Sequence, residues 1–116
     1  MTSDIAQFIR VAKRLNQATG YLELGMAQHT LDCLRDLGPL GPFEGEAELL
    51  RGEALRRQHR YRDAAVALRT AAEKFPAPQD KVAWLVLSRC YRLAGAHAKA
   101  VQMLAHARGA FPSRNG

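Results

Sequence analysis

Residues 84 to 112 read WLVLSRCYRLAGAHAKAVQMLAHARGAFP. Trp84, Leu87 and Tyr91 step at three and four positions, which lines one side of a helix. Gly95 supplies a cheap left-handed turn. Ala100, Leu104 and Ala107 then resume the helical step, and Pro112 stops it. The stretch is a helical hairpin. Two helices cannot close a core, so the hairpin must pack against more of the same chain.

Working outward, the turn and stop signals recur. Gly25, His59 and Gly95 are 34 and 36 apart, and so are Pro42, Pro76 and Pro112. Thr30, Ala64 and Ala100 match at these separations, as do Leu34, Leu68 and Leu104, then Leu37, Ala71 and Ala107, then Tyr21, Leu55 and Tyr91. A period of 34, lengthened by two in PAPQD (76–80), is a helix–turn–helix unit present three times. The reading along the chain is six helices without a strand. The first has apolar Ile5, Phe8, Ile9, Ala12, Leu15, Ala18, Tyr21 and Leu22, with Thr2, Ser3 or Asp4 as cap, and ends near 23–24. The others are expected at about 27–37, 46–58, 62–74, 80–93 with Asp80 as cap, and from just after Gly95 onward. GPLGPFEG (38–45) is a loop.

These residues resemble the tetratricopeptide repeat, whose pattern is W-x2-L-G-x2-Y, a turn Gly, then Ala, Phe or Leu, Ala and Pro. Trp84, Leu87, Ser88, Tyr91, Gly95, Ala100, Leu104, Ala107 and Pro112 follow it, with Ser88 where the pattern has Gly. The second copy keeps Gly52, Leu55, Ala64, Leu68, Ala71 and Pro76 but has Glu48, Arg51 and His59. The first keeps Tyr21, Gly25, Leu34 and Pro42 but has Arg14, Gln17 and Thr30. The resemblance implies one domain over 1–116, with repeats at about 11–44, 45–78 and 81–114 and residues 1–10 extending the first helix. The fold expected is all-α: three stacked hairpins in a short right-handed superhelical solenoid with one continuous core.

Composition sets outer bounds. Apolar residues are 47% and charged residues 24% of 116, the balance of a globular domain. Formal net charge is +6, with 13 Arg against 4 Lys, which favours acidic partners. Cys33 and Cys90, 57 positions apart without a CxxC, read as two free buried thiols. No apolar run approaches the ~20 residues of a membrane span. The N-terminus lacks an uninterrupted apolar stretch, and Asp4 argues against a transit peptide. Cytoplasmic location is therefore expected.

Chemistry-bearing patterns are sparse. His29, His59, His97 and His106 form no HxxxH or HExxH, and there is no G-x-S-x-G, GxGxxG or P-loop. Glu44, Glu46 and Glu48 suit a helix N-terminus without a metal. An enzyme is not expected, nor any cofactor or metal. RRQHRYR (56–62) holds four arginines and suits either a phosphate-binding patch or a solvated helix end.

The resemblance implies a protein-binding groove lined by the first helix of each pair. Its positions fall on Ala12, Leu15, Thr19 and Leu22, on Glu46, Leu49, Glu53 and Arg56, and on Val82, Leu85, Arg89 and Arg92. Leu15, Leu49 and Leu85 would give apolar contact and Arg56, Arg89 and Arg92 charge. The expected ligand is an apolar, partly acidic peptide or an amphipathic helix. Family members that grip the EEVD tail of chaperones use Lys, Asn and Arg where this chain has Leu15, Thr19, Leu50, Val82 and Val86, so such tails are not expected to bind. Size and repeat count also resemble the small tetratricopeptide chaperones of bacterial type III secretion, and a basic nucleic-acid adaptor is a further alternative. Only Ser113, Arg114, Asn115 and Gly116 follow Pro112. Ala98, Val101 and Ala105 would then form an open face of the last helix, for self-association or for another protein.

Overall fold

The computed structural model describes residues 2–109, with side chains from Asp4 onward. Among these residues there are six α-helices and no strand: α1 Thr2–Glu23, α2 Ala27–Cys33, α3 Glu44–Arg57, α4 Tyr61–Lys74, α5 Asp80–Leu93 and α6 His97–Ala107. Thr2 and Ser3 as caps, and Pro112 with the residues beyond it, lie outside the described side chains.

The three turns are copies of one another. Residues 25, 59 and 95 have φ of 76°, 62° and 84°. In each turn the next N–H closes back on the first helix: Met26 to the Tyr21 carbonyl at 2.8 Å, Arg60 to Leu55 at 2.9 Å, Ala96 to Tyr91 at 2.8 Å. The left-handed residue itself donates to Leu22, Arg56 and Arg92. This is the Schellman closure, which satisfies carbonyls that would otherwise be orphaned at the helix end. Tyr21, Leu55 and Tyr91 repeat because they carry that closure as well as a side chain in the core. His59 takes the strained conformation without glycine's freedom, and its Nδ1 lies 2.8 Å from the Tyr61 hydroxyl.

Each hairpin has one close crossing, where Ala18, Gly52 and Ser88 on the first helix face Thr30, Ala64 and Ala100 on the second. All six are buried. In the second hairpin a Cβ on Gly52 would lie 3.3 Å from the Ala64 carbonyl oxygen and 2.5 Å from Leu68 Cδ2, so only glycine fits. The outer hairpins use a hydroxyl instead, in opposite senses. Thr30 donates to the Ala18 carbonyl at 3.2 Å, and Ser88 donates to Ala100 at 2.7 Å. The departures Thr30 and Ser88 thus have buried acceptors, as a buried hydroxyl requires.

Two apolar clusters run through the stack. One joins α1, α2 and α3 through Val11, Leu15, Leu22, Leu34, Leu37 and Leu50. The other joins α3 to α6 through Leu55, Leu68, Trp84, Leu87, Cys90 and Met103. A side chain such as Leu68 or Leu87, sealed from water, contributes about 2 kcal/mol by burial. Trp84 lies flat on His106, ring centroids 4.4 Å apart. Cys33 and Cys90 are both free and buried, as their spacing suggests.

Four local expectations are corrected. Helix α2 ends at Cys33 rather than near 37: the Leu34 and Arg35 N–H groups bond to Leu31 and Asp32 in a tighter turn, Asp36 turns left-handed at φ 52°, and Arg10 and Gln7 of α1 donate to the carbonyls of Asp36, Leu37 and Pro39. Leu34 and Leu37 still reach the core. Helix α3 starts at Glu44 rather than 46, since a 3-10 turn at Gly41–Phe43 leads into it. Asp80 is the first residue of α5 and not its cap; its carboxylate accepts from Trp84 Nε1 at 3.2 Å. Ile5, Phe8 and Ile9 are exposed, whereas Val11, Leu15, Ala18 and Leu22 form the buried stripe. Helix α1 has 22 residues against 14 in α3 and α5, and its overhang finds no second helix to cover it.

Candidate functional site

The first helices α1, α3 and α5 lie side by side, with α3 touching both neighbours. Their aligned positions make four rows across this face. The row at the helix starts has half-buried Ala12 and exposed Glu46 and Val82. The second row is graded: Leu15 is 2% exposed, while Leu49 and Leu85 are half-buried. The third has half-buried Thr19 and Glu53 and exposed Arg89, and the Thr19 hydroxyl is turned back onto the Leu15 carbonyl at 2.9 Å. The fourth has Leu22, 5% exposed, then half-buried Arg56 and exposed Arg92.

Leu15 and Leu22 therefore do not line a groove. They are core residues, shut in with Ala47, Leu50 and Ala54 where α3 closes over α1. Leu49 is half covered by the second cluster, and half-buried Leu85 lies on α5, which no further helix follows on that side among the described residues. The apolar contact available on this face is concentrated on Leu49, Leu85 and Val82.

The charged end differs from an ordinary solvated surface. Arg56 is half-buried, and its Nε is enclosed without an acceptor. It lies near Cys90, whose thiol burial pushes up and the Arg56 charge pulls partly back. Among the described residues Arg56, Arg89 and Arg92 join no ion pair. Other arginines are engaged: Arg10 on carbonyls of the α2 end, Arg51 with Glu48, Arg60 with Asp63, Arg69 with Glu73. The stretch 56–62 is dispersed by the same means. Arg57 donates to the Leu22 carbonyl at 2.5 Å, Arg60 pairs with Asp63, and Tyr61 meets His59. One feature escaped the sequence pattern: Phe8, exposed on the α1 overhang, meets the Phe43 ring at 4.8 Å beside exposed Ile5. The unusual length of α1 before Val11 was its only signal.

Among the described residues no three His, Cys, Asp or Glu side chains gather to hold a metal. No helix of the described residues is long and apolar enough to cross a membrane.

Three equivalent hairpins, stacked through two apolar clusters rather than one continuous core, with their first helices side by side, define a helical-repeat solenoid. The family model described as "Tetratricopeptide repeat" matches residues 55–115, more than half of the chain, and the protein belongs to the tetratricopeptide repeat family. No curated protein matches it. Repeats of this family generally mediate protein–protein interaction and are typically non-enzymatic.

Proposed function

We propose that this protein is a non-enzymatic binding module that holds an apolar, acidic segment of another protein across the face of α1, α3 and α5. Leu49, Leu85 and Val82 give the apolar contact, Arg56, Arg89 and Arg92 the charge, and Thr19 and Glu53 the polar edge between them. The observation that carries this reading is Arg56: a half-buried guanidinium whose Nε has no acceptor among the described residues. Much of its desolvation is already incurred in the free protein, so an arriving carboxylate gains more than it would at a fully hydrated arginine. A buried charge-assisted contact of this kind is the type that dominates an interface, while the exposed arginines set approach and selectivity.

The test is selection from a random peptide display library on the immobilised full chain, followed by titration of the enriched peptides. Enriched sequences should pair an acidic residue with apolar ones. Arg56→Ala and Leu85→Glu should each weaken them by about tenfold, equivalent to ~1.4 kcal/mol. Enrichment without acidic residues, or affinities indifferent to both changes, would refute the reading.

A further inference from the structure

Charge and exposure converge on a second surface, the end of the stack formed by α5 and α6. All 11 acidic residues fall within 4–80, a stretch that also holds 11 of the 17 Lys and Arg. Residues 81–116 hold the other six and no acidic residue, so the whole formal charge of +6 belongs to the last repeat. Lys81 and Arg108 are exposed there in addition to Arg89 and Arg92 of the first face, and none joins an ion pair among the described residues.

Among the described residues, no further helix lies over α6 at the same end. On α4, Ala65 is 9% exposed and Leu68 and Ala71 are sealed, with α3 and α5 both packed on the helix. Thirty-six residues on, α6 presents Val101, Leu104 and Ala107 at these positions. Val101 is 68% exposed, and Leu104 and Ala107 are half-buried. Helix α5 enters the core it shares with α4 through Ala83, Val86 and Cys90, spaced i, i+3 and i+7. Any helix seated on α6 in the same way needs small or apolar residues at that spacing.

The charge decides what kind of helix. A second copy meeting this end with its own last repeat would oppose two basic surfaces without an acidic residue in either. Meeting it with α1 would bring exposed Arg10 and Lys13 and half-buried Arg14. Both arrangements set like charges together, which costs affinity. Single-stranded nucleic acid is held by stacking on open aromatic rings as well as by cations. Here Trp84 is buried, and Tyr91 is half-buried under the Lys99 ammonium, 5.6 Å from its ring centre.

We propose that the α5–α6 end docks an acidic amphipathic helix of a partner protein, laid on α6 as α5 is laid on α4. Its apolar stripe covers Val101 with Leu104 and Ala107, the positions equivalent to Ala65, Leu68 and Ala71 on α4, and its carboxylates meet Arg108. It lies on α6 rather than on the Leu49–Leu85–Arg56 face, and Arg56→Ala tells the two apart.

The probe is a labelled synthetic peptide with the α5 sequence, Asp80–Leu93, carrying Lys81→Glu, Arg89→Glu and Arg92→Glu; the unaltered sequence is the comparison. Fluorescence anisotropy against the full chain should show the acidic peptide binding at least about tenfold tighter than the basic one, and weakening with salt. Val101→Glu, at an exposed position that leaves the fold intact by circular dichroism, should weaken it by about tenfold. Arg108→Glu should shift the preference toward the basic peptide. Arg35→Ala, at an exposed position in neither binding surface, should leave the affinity unchanged. The inference is overturned by absence of binding of the acidic peptide, by equal binding of the two peptides, or by indifference to Val101→Glu. Loss on Arg56→Ala with indifference to Val101→Glu places the peptide on the other face, which overturns this inference while supporting that one. Tighter binding of a short duplex DNA than of the acidic peptide also overturns it, as does a dimer in sedimentation that Val101→Glu dissociates.

Discussion

Gly20→Ala and Gly95→Ala make the same chemical change and should move stability in opposite directions. At neither position does an added Cβ meet any heavy atom within 4 Å, so packing is not involved and only the backbone decides. Gly20 is inside α1 with helical dihedrals, where alanine is favoured over glycine by about 1 kcal/mol. Gly95 has φ of 84° in the turn between α5 and α6. A side chain there costs ~1–2 kcal/mol in the folded state, offset by ~0.4–1 kcal/mol because alanine restricts the unfolded chain. The net is a loss of about 0.5–1 kcal/mol. For a domain of this size ~1 kcal/mol moves Tm by about 4–6 °C. Urea melts followed by circular dichroism, with thermal scans alongside, should therefore raise the midpoint for Gly20→Ala and lower it for Gly95→Ala at unchanged m. A shift of the same sign for both variants would refute the argument, because it would mean that contacts or unfolded-state effects, not the local backbone conformation, control these sites.

Gly52→Ala is also expected to destabilise, by about 1–2 kcal/mol in a urea melt despite alanine's helix preference, because the new Cβ would lie 2.5 Å from Leu68, which is sealed in the core. Ser88→Ala should cost about 1 kcal/mol in the same assay, since it removes the 2.7 Å bond to the Ala100 carbonyl. Cys90 should resist alkylation by iodoacetamide in the native state and react at the unfolded rate in urea. Its folded pKa is raised by burial, so its contribution to stability is full below the ordinary thiol value of 9.0 and falls as pH rises above it; Cys90→Ala should flatten the decline of Tm in that alkaline range. A chaperone-type EEVD tail peptide should give no micromolar heat signal in calorimetry, since Leu15, Leu50 and Val86 at the gripping positions are buried apolar side chains and Val82 is exposed but uncharged.

The architecture was legible because it rests on local rules repeated in phase. Glycine at 25 and 95, small residues at 64 and 100, and prolines at 42 and 76 each answer a backbone or close-approach requirement that does not depend on distant parts of the chain. Three such sets at a spacing of 34 and 36 determined the helical hairpin, its number of copies and their order. Even the non-glycine turn at His59 obeys the same closure, so its place was visible although its residue type was not.

Burial across hairpins was decided only by tertiary structure. Leu15 and Leu85 occupy the same register, yet α3 closes over one and nothing described follows the other. Ala65 and Val101 likewise share a register, one beneath α5 and the other open to water. Periodicity says which side of a helix is apolar, and it grouped Ile5, Phe8 and Ile9 with residues that are buried. It does not say how far the neighbouring helix extends, and that length decides whether a leucine is core or contact. Ion pairing follows the same division. The arginine-rich composition was plain in the chain, but only the packed arrangement separates Arg57 and Arg60, engaged with their own chain, from Arg56, Arg89 and Arg92, which join no ion pair among the described residues. A pairing depends on distance between elements, and that distance exists only once the repeats are stacked.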